Sequence, residues 1–302
     1  MESQKLIKIE SEFTVDNDEL IVVDEIQART DLSKIKIKGA MNKGAVWITH
    51  KKKTTRVRRA KARAKPGDAI AIYYDEKILN TEPPEPVLIA DKDQYSVRHK
   101  PAGLMSSGTR YGDHCAINRW IERSEDRPTF LVHRLDQFAS GLMVIAHTKK
   151  AAAHLSKQFQ ERQTTKIYKV IVDSSSKSAP EPASEPSPEF PQDSKFTINE
   201  SLDGKEAISH VTTLETRDGL SLLEVKIETG RKHQIRRHLA SAGLPVLGDR
   251  QYGENQFPEL QLTAVELGFT CPVNNQFVTF LLPEEYHPQL SAVNTRNSDH
   301  VT

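Results

Sequence analysis

Apolar residues along the chain follow two spacings, and the changes from one to the other mark out the elements. Short continuous runs occur at Ala45-Val46-Trp47-Ile48, Ala69 to Tyr74, Phe130-Leu131-Val132, Leu142 to Ala146 and Val170-Ile171-Val172. Runs of this length bounded by turn residues read as buried strands. His210 to Leu214 and Ser221 to Ile227 add two more strands, the second partly alternating and ending at Thr229-Gly230, where glycine eases a sharp turn. Helical spacing appears over Lys149 to Arg162, where Ala152, Leu155 and Phe159 share a face and Thr148 is a candidate N-cap. It appears again over Arg231 to Ala240, closed by Gly243 and Pro245. Leu32, Ile35, Ala40 and Met41 line one side of a short helix pair that starts near Ser33 and Lys34. Strand-rich blocks mixed with a few helices predict an α+β fold: a mixed, largely antiparallel sheet with a central cleft, preceded by a small α/β module.

The breaks in the pattern divide the chain. Residues 1–28 show no clean period and read as a poorly ordered or strand-like leader; residues 29–81 form the small module. Glu82-Pro83-Pro84-Glu85-Pro86 makes 82–87 a linker, because consecutive prolines favour extended chain. The main domain is expected over 88–290, with a short tail over 291–302. Within it, 174–194 is rich in Ser, Pro and Glu and nearly devoid of apolar residues, so it reads as a disordered insertion between two strands. No internal repeat is visible.

Composition changes this picture in one place. The formal net charge is +1, yet Arg29 to Lys65 carries fourteen Lys or Arg and a single acid, Asp31. A charge block is usually a solvated tail. Here it is interleaved with strand signals, and cations displayed on a folded module are the footprint of a polyphosphate binder. No run approaches the ~18 consecutive apolar residues of a membrane span. The start MESQKLIKIESEF lacks the apolar core of a secretory leader. Two distant cysteines, Cys115 and Cys271, suggest neither a disulfide framework nor a zinc site, and a reducing, cytoplasmic location is expected.

The richest stretch for chemistry is His133-Arg134-Leu135-Asp136-Gln137-Phe138-Ala139-Ser140-Gly141-Leu142, a carboxylate and a guanidinium on a short turn between two apolar runs. An isolated Asp in a turn is most often a connector. Four further segments change that weighting: Lys100-Pro101-Ala102-Gly103-Leu104, Lys166-Ile167-Tyr168-Lys169-Val170, Thr229-Gly230-Arg231-Lys232-His233-Gln234-Ile235-Arg236, and Gly243 to Asp249 followed by Tyr252-Gly253. Together and in this order, they resemble the motifs of RluA-type RNA pseudouridine synthases. The N-terminal order of helix, Gly44-Ala45-Val46, strand, basic loop and Gly67-Asp68-Ala69-Ile70 more loosely resembles an S-four-like RNA-binding module.

The resemblance implies isomerisation of uridine to pseudouridine in structured RNA, with no redox cofactor and no metal. It assigns Asp136 as nucleophile or sugar-proton base, Arg231 as the cation that holds Asp136 ionised and oriented, and Tyr168 as a flat wall for uracil whose phenol can relay a proton. Arg134 would fill the stacking space left by a flipped base, Ile235 would form an apolar wall, and Lys100, His133 and Arg236 would serve the RNA, with bracing of the turn the favoured role for His133. Lys51, Lys52, Arg58 and Arg59 are the expected RNA contacts of the small module. The expected partner is RNA, large-subunit ribosomal RNA before transfer RNA, with a monomeric chain, no membrane and no obligatory protein partner. A catalytically silent RNA-binding or ribosome-assembly factor is the alternative. A glycoside hydrolase would need a second positioned acid, and none stands near Asp136 in sequence. Two positions depart from the family pattern: Ala139 stands where Thr is frequent, and Thr263 where His is common.

Overall fold

In a computed structural model of the chain, residues 6–16, 19–174, 192–253 and 257–297 are described. Most of the insertion expected at 174–194 and the end of the expected tail lie outside them. The chain forms two compact units. One comprises residues 1–84 and 105–126; the other comprises 85–104 and 127–302.

The first unit contains β1 (Lys8–Thr14), β2 (Leu20–Ile21), α1 (Val22–Arg29), α2 (Lys34–Asn42), β3 (Val46–His50), β4 (Lys53–Arg56), β5 (Arg63–Ala64), β6 (Ala69–Asp75), α3 (Glu76–Leu79) and α4 (Ile117–Ser124). Four strands make one sheet in the order β1-β6-β3-β4. The segment expected as a poorly ordered or strand-like leader over 1–28 does form a strand, but it is not separate from the module. Strand β1 pairs with β6 from Lys8–Asp75 to Thr14–Ala69, and Val15, Val22, Val23 and Ile26 are buried in this unit's core. Alternate burial along KIESEFT was hidden in the sequence because only Ile9 and Phe13 on its inner face are apolar. Ser33 caps α2 by accepting from the Lys36 N–H, as the helix-start reading requires.

Residues 105–126 join this unit rather than the sheet that flanks them in sequence. Asp113 pairs with Arg56 at 3.3 Å and with Arg58. Trp47 donates its indole N–H to the Arg110 carbonyl at 2.9 Å.

The second unit is built on one ten-stranded sheet. Its strands are β7 (Val87–Asp91), β8 (Tyr95–Lys100), β9 (Phe130–Leu131), β10 (Ser140–Ala146), β11 (Thr165–Asp173), β12 (Lys195–Asn199), β13 (Ile208–Arg217), β14 (Leu220–Ile227), β15 (Leu262–Thr270) and β16 (Phe277–Leu281). The main path runs β12-β13-β14-β11-β15-β10-β8-β7, with β16 paired to β15 and β9 to β10. All pairings are antiparallel except β10 with β15, in keeping with the mixed, largely antiparallel α+β sheet expected. Helix α5 (Lys149–Gln160) starts at the Thr148 cap and buries Ala151 and Leu155 against β8, β10 and β15. Helices α6 (Gln234–Ser241) and α7 (Leu290–Asn297) complete the unit.

The parallel contact is made by Ser140–Thr263 and Gly141–Ala264. A Cβ on Gly141 would lie 2.3 Å from backbone atoms of Ala264, and its φ is +115°. Only glycine fits there, so the loop that carries Asp136 leaves directly into the middle of the sheet.

Candidate active site

Asp136 sits on the connection between β9 and β10, its side chain 27% exposed. The connection is held from below by Lys100. That ammonium is fully buried and donates to the carbonyls of Pro101, Leu104, Gln137 and Ala139 at 3.1, 2.8, 3.1 and 2.6 Å. Burial pushes its pKa down to about 7, while the Asp136 charge acts in the opposite sense. The expected RNA contact at Lys100 is thus corrected: a cation enclosed by four carbonyls has no face to offer a phosphate, and what it does is fix the loop on both sides of Phe138.

His133 braces the other end. The Val144 N–H donates to its Nε2 at 3.0 Å, and its ring stacks on Phe159 with centroids 4.4 Å apart. Burial pushes its pKa down to about 3, with Lys166 adding to the effect, so the ring is neutral and engaged. These contacts are those of a residue that braces the turn, although His133 also borders the cavity shared with Arg134 and Asp136. Arg134, next in sequence, is exposed and borders two of the cavities that Asp136 borders.

The cation on Asp136 is Arg236. Its Nη1 donates to Asp136 Oδ2 at 3.2 Å, while its Nε and Nη2 grip Asp249 Oδ2 and Oδ1 at 2.7 and 2.8 Å. The Asp249 side chain is fully buried and also accepts from the Gln251 and Tyr252 N–H groups at 2.9 and 3.1 Å. Burial would raise the Asp249 pKa, but Arg236 and these N–H donors outweigh it and lower the value. Burial also opposes the Arg236 charge, and the two carboxylates overcome it. Such a bidentate, charge-assisted fork fixes direction as well as charge.

Two expectations are therefore corrected. Arg231 does not pair with Asp136, and Arg236 is not a free phosphate contact. The cause is local: α6 starts at Gln234 rather than Arg231. The buried Gln234 amide accepts from the Thr229 hydroxyl and the Arg231 N–H at 2.7 and 3.0 Å and donates to the Ile208 carbonyl at 2.9 Å. It thereby wraps Thr229 to Arg231 into a turn, and Arg231 Nε donates to the Glu206 carbonyl at 2.9 Å. Arg231 still borders the cavity shared by Asp136 and Tyr168.

His233 was not anticipated. It adopts a left-handed backbone, φ 54° and ψ 29°, immediately before α6, a conformation uncommon for residues other than glycine. Its Nε2 lies 3.8 Å from Asp136 Oδ1, and its Nδ1 is 3.0 Å from the Tyr252 hydroxyl. Burial is the leading cause that lowers its pKa, with Asp136 opposing. The two Asp136 oxygens thus face different groups, a guanidinium and an imidazole.

Tyr168 is buried on β11 and borders the cavity with Asp136, Ile235 and Ala139. Burial, then the Asp136 charge, raises its phenol pKa well above the ordinary value, so it is protonated at neutral pH. The adjoining cavity of about 710 Å³ carries Arg134, Arg162, Lys166, Arg231 and Lys232 on its walls. Burial lowers the Lys166 pKa to about 8, with Arg162 contributing. Of the two positions that depart from the family pattern, Thr263 shares a 2.8 Å hydrogen bond with the Ser140 hydroxyl, and Ala139 is buried. In the first unit, Lys51, Lys52 and Arg59 are exposed. Arg58 is tied to Asp113 and to the Asn42 carbonyl, which corrects its expected role as an RNA contact. Among the described residues no group of three or more His, Cys, Asp and Glu could hold a metal ion, and no helix is long and apolar enough to cross a membrane.

The arrangement offers an oriented carboxylate beside a protonated phenol and an apolar wall, with a cation-rich rim. Comparison with known proteins gives this chemistry its family. A sequence model described as RNA pseudouridylate synthase matches residues 94–241. A protein of Aquifex aeolicus described as an uncharacterized RNA pseudouridine synthase is 32% identical over 300 residues, spanning 90% of this chain and 93% of its own length. The dual-specificity RNA pseudouridine synthase RluA of Vibrio parahaemolyticus is 32% identical across 67% of this chain and 84% of its own. Ribosomal large subunit pseudouridine synthase D of Neisseria meningitidis is 32% identical across 66% of this chain and 59% of its own. The solved structure of human RNA pseudouridylate synthase domain containing 1 shares the fold, with a TM-score of 0.53 at 20% identity over 72% of this chain and 97% of that one. With its motifs, its sheet and these relatives in agreement, the chain belongs to the RNA pseudouridine synthases of the RluA type, enzymes that isomerise uridine to pseudouridine in RNA.

Proposed function

We propose that Asp136 is the group that acts at the ribose of the target uridine, as nucleophile at C1′ or as base toward a sugar proton, and that the target lies in large-subunit ribosomal RNA. The observation that carries this reading is the fixed Asp136 carboxylate, one oxygen of which accepts from Arg236 at 3.2 Å. The reaction breaks the N1–C1′ bond, turns the uracil, joins C5 to C1′, and moves the C5 proton away while N1 gains one. A carboxylate oriented toward C1′ serves either route through the first step. Tyr168 and Ile235 provide a flat wall and an apolar wall for the base. The phenol, protonated in the resting site because burial and the Asp136 charge raise its pKa, can donate a hydrogen bond to the uracil.

The target assignment draws on a relative named for the ribosomal large subunit and on the basic first unit, whose exposed Lys51, Lys52 and Arg59 would neutralise phosphates. We read that unit as an S-four-like RNA-holding module. Transfer RNA is the second reading, favoured by the dual-specificity relative. The chain works alone, in a reducing cytoplasm that suits its free, buried Cys115 and Cys271. The test is to incubate the purified protein with RNA from cells of its own source lacking the gene. New pseudouridine in large-subunit RNA supports the reading, and pseudouridine only in transfer RNA moves the target. Failure of Asp136→Asn to remove the product would overturn the assignment of Asp136.

A further inference from the structure

A second cleft of about 580 Å³ borders Asp136 but not Tyr168. It shares Asp136, His233 and Arg236 with the first cavity. One wall is the loop after Asp136; the other carries Arg250 and Pro258. Phe138 borders it and is 59% exposed, a large aromatic displayed to solvent two residues from the acting carboxylate. A single exposed apolar side chain is ordinary on a protein surface. What sets this one apart is its support. The carbonyls on either side of it, Gln137 and Ala139, both accept from the buried Lys100 ammonium, at 3.1 and 2.6 Å. The Gly103 N–H also donates to the Gln137 carbonyl at 2.9 Å. The backbone that presents the ring is thus rigid, and the ring projects from it instead of folding into the core.

We propose that this second cleft is the binding subsite for a nucleotide adjacent to the target uridine in the RNA strand, with its base stacked on Phe138 and its phosphate facing Arg250. This rests on the functional reading above. With uracil against Tyr168 and its ribose at Asp136, the strand must continue past the carboxylate, and the second cleft begins at that carboxylate. An aromatic ring accepts any base on its π-face, and a ring on a fixed backbone loses little freedom when it is covered. Arg250 is exposed and reaches the Pro258 carbonyl at 3.4 Å, so its guanidinium stands at the rim of the same cleft. Phe138 is therefore a substrate-contacting residue that sets which strand conformation is accepted, without a part in bond making.

The experiment uses the full chain and a short RNA fragment spanning the uridine that the wild type modifies. Phe138→Ala should raise the RNA concentration for half-maximal single-turnover rate about 5- to 100-fold and leave the saturating rate within about twofold. Phe138→Trp should restore near-wild-type binding, whereas Phe138→Leu should not, because it keeps apolar bulk and loses the flat face. A benzophenone amino acid placed at 138 should cross-link to a nucleotide next to the modified uridine. Unchanged binding in Phe138→Ala, or a cross-link confined to remote nucleotides, overturns the proposal. If the wild type forms no pseudouridine in any RNA, the functional reading fails instead, which keeps the two outcomes apart.

Discussion

Arg236 donates its Nη1 to Asp136 Oδ2 at 3.2 Å. The rest of its fork is committed to the buried Asp249, so the Asp136 carboxylate is aimed through a guanidinium that cannot swing away. Replacing Arg236 by Met should lower the single-turnover rate about 10²-fold or more and destabilise the fold by roughly 3 kcal/mol, because Asp249 is left buried without its partner. Arg236→Lys keeps charge but not the fork, so it should recover little. Arg231→Met should do the reverse: RNA binding weakens while the saturating rate stays within about threefold. Equal loss of rate in both variants would show that Arg231 also acts on Asp136.

Asp136→Asn should remove pseudouridine formation, a drop of at least about 10²- to 10⁴-fold, with RNA affinity and melting temperature near wild type. Asn keeps the shape and the contact with Arg236 but supplies neither a nucleophile nor a base. Pseudouridine formation at near wild-type rate by a preparation free of wild-type enzyme would sink the central role given to this residue.

Lys100→Met should cost stability on the order of 3 kcal/mol, since four carbonyls lose their shared donor. It should also slow single turnover more than it weakens RNA binding, because the residue fixes the Asp136 loop and faces no phosphate. Chemical denaturation and RNA titration of the same variant check both parts. A pure loss of RNA affinity would return Lys100 to the role expected from the motif alone.

Stability should fall with acidity through His133. Its folded-state pKa is pushed down to about 3, against about 6.5 for an unfolded chain. Below 6.5 the unfolded state binds a proton that the folded state refuses, so stability is present above that value and is lost as pH falls toward 3, by up to about 1.4 kcal/mol per pH unit. His133→Gln should flatten this part of the stability profile relative to wild type. His99, held near 4 by burial, contributes in the same direction and remains in the variant. An unchanged acid slope would mean that His133 takes up a proton without leaving its stack on Phe159.

Charge, rather than truncation, is the way to test the first unit. Residues 105–126 pack within it, and Asp113 depends on Arg56 and Arg58, so deleting 1–84 would strip that segment of its support. Changing Lys51, Lys52 and Lys53 at the exposed β3–β4 turn to Gln should reduce the salt slope of RNA binding by up to about 2 to 3, with catalysis at saturating RNA unchanged. A slope equal to wild type would show that this turn faces solvent in the RNA complex.

The sequence alone determined the elements whose order depends on neighbours along the chain. The Thr148 cap, the Leu142 to Ala146 strand, the α+β class and the motif around Asp136 could all be read there, because strand runs, helical spacing and caps are short-range signals. Tertiary structure decided who partners whom. Asp136 and Arg236 are separated by a hundred residues, and choosing Arg236 over Arg231 required knowing that Gln234 wraps the preceding turn and that His233 takes a left-handed backbone against its local preference. Lys100 carries a charge that argues for the surface in any sequence reading, yet four carbonyls converging from separate segments make a buried site for it. Residues 105–126 lie in sequence between pieces of the catalytic sheet, but the Asp113 pairings with Arg56 and Arg58 hold them in the first unit. For the Asp136–Arg236 pair, the Lys100 site and the Asp113 pairings, the deciding interactions join residues far apart in the chain, whose energy exists only once the fold has brought them together. At the turn before α6 the deciding interaction is a local side-chain-to-backbone wrap that helical spacing does not reveal.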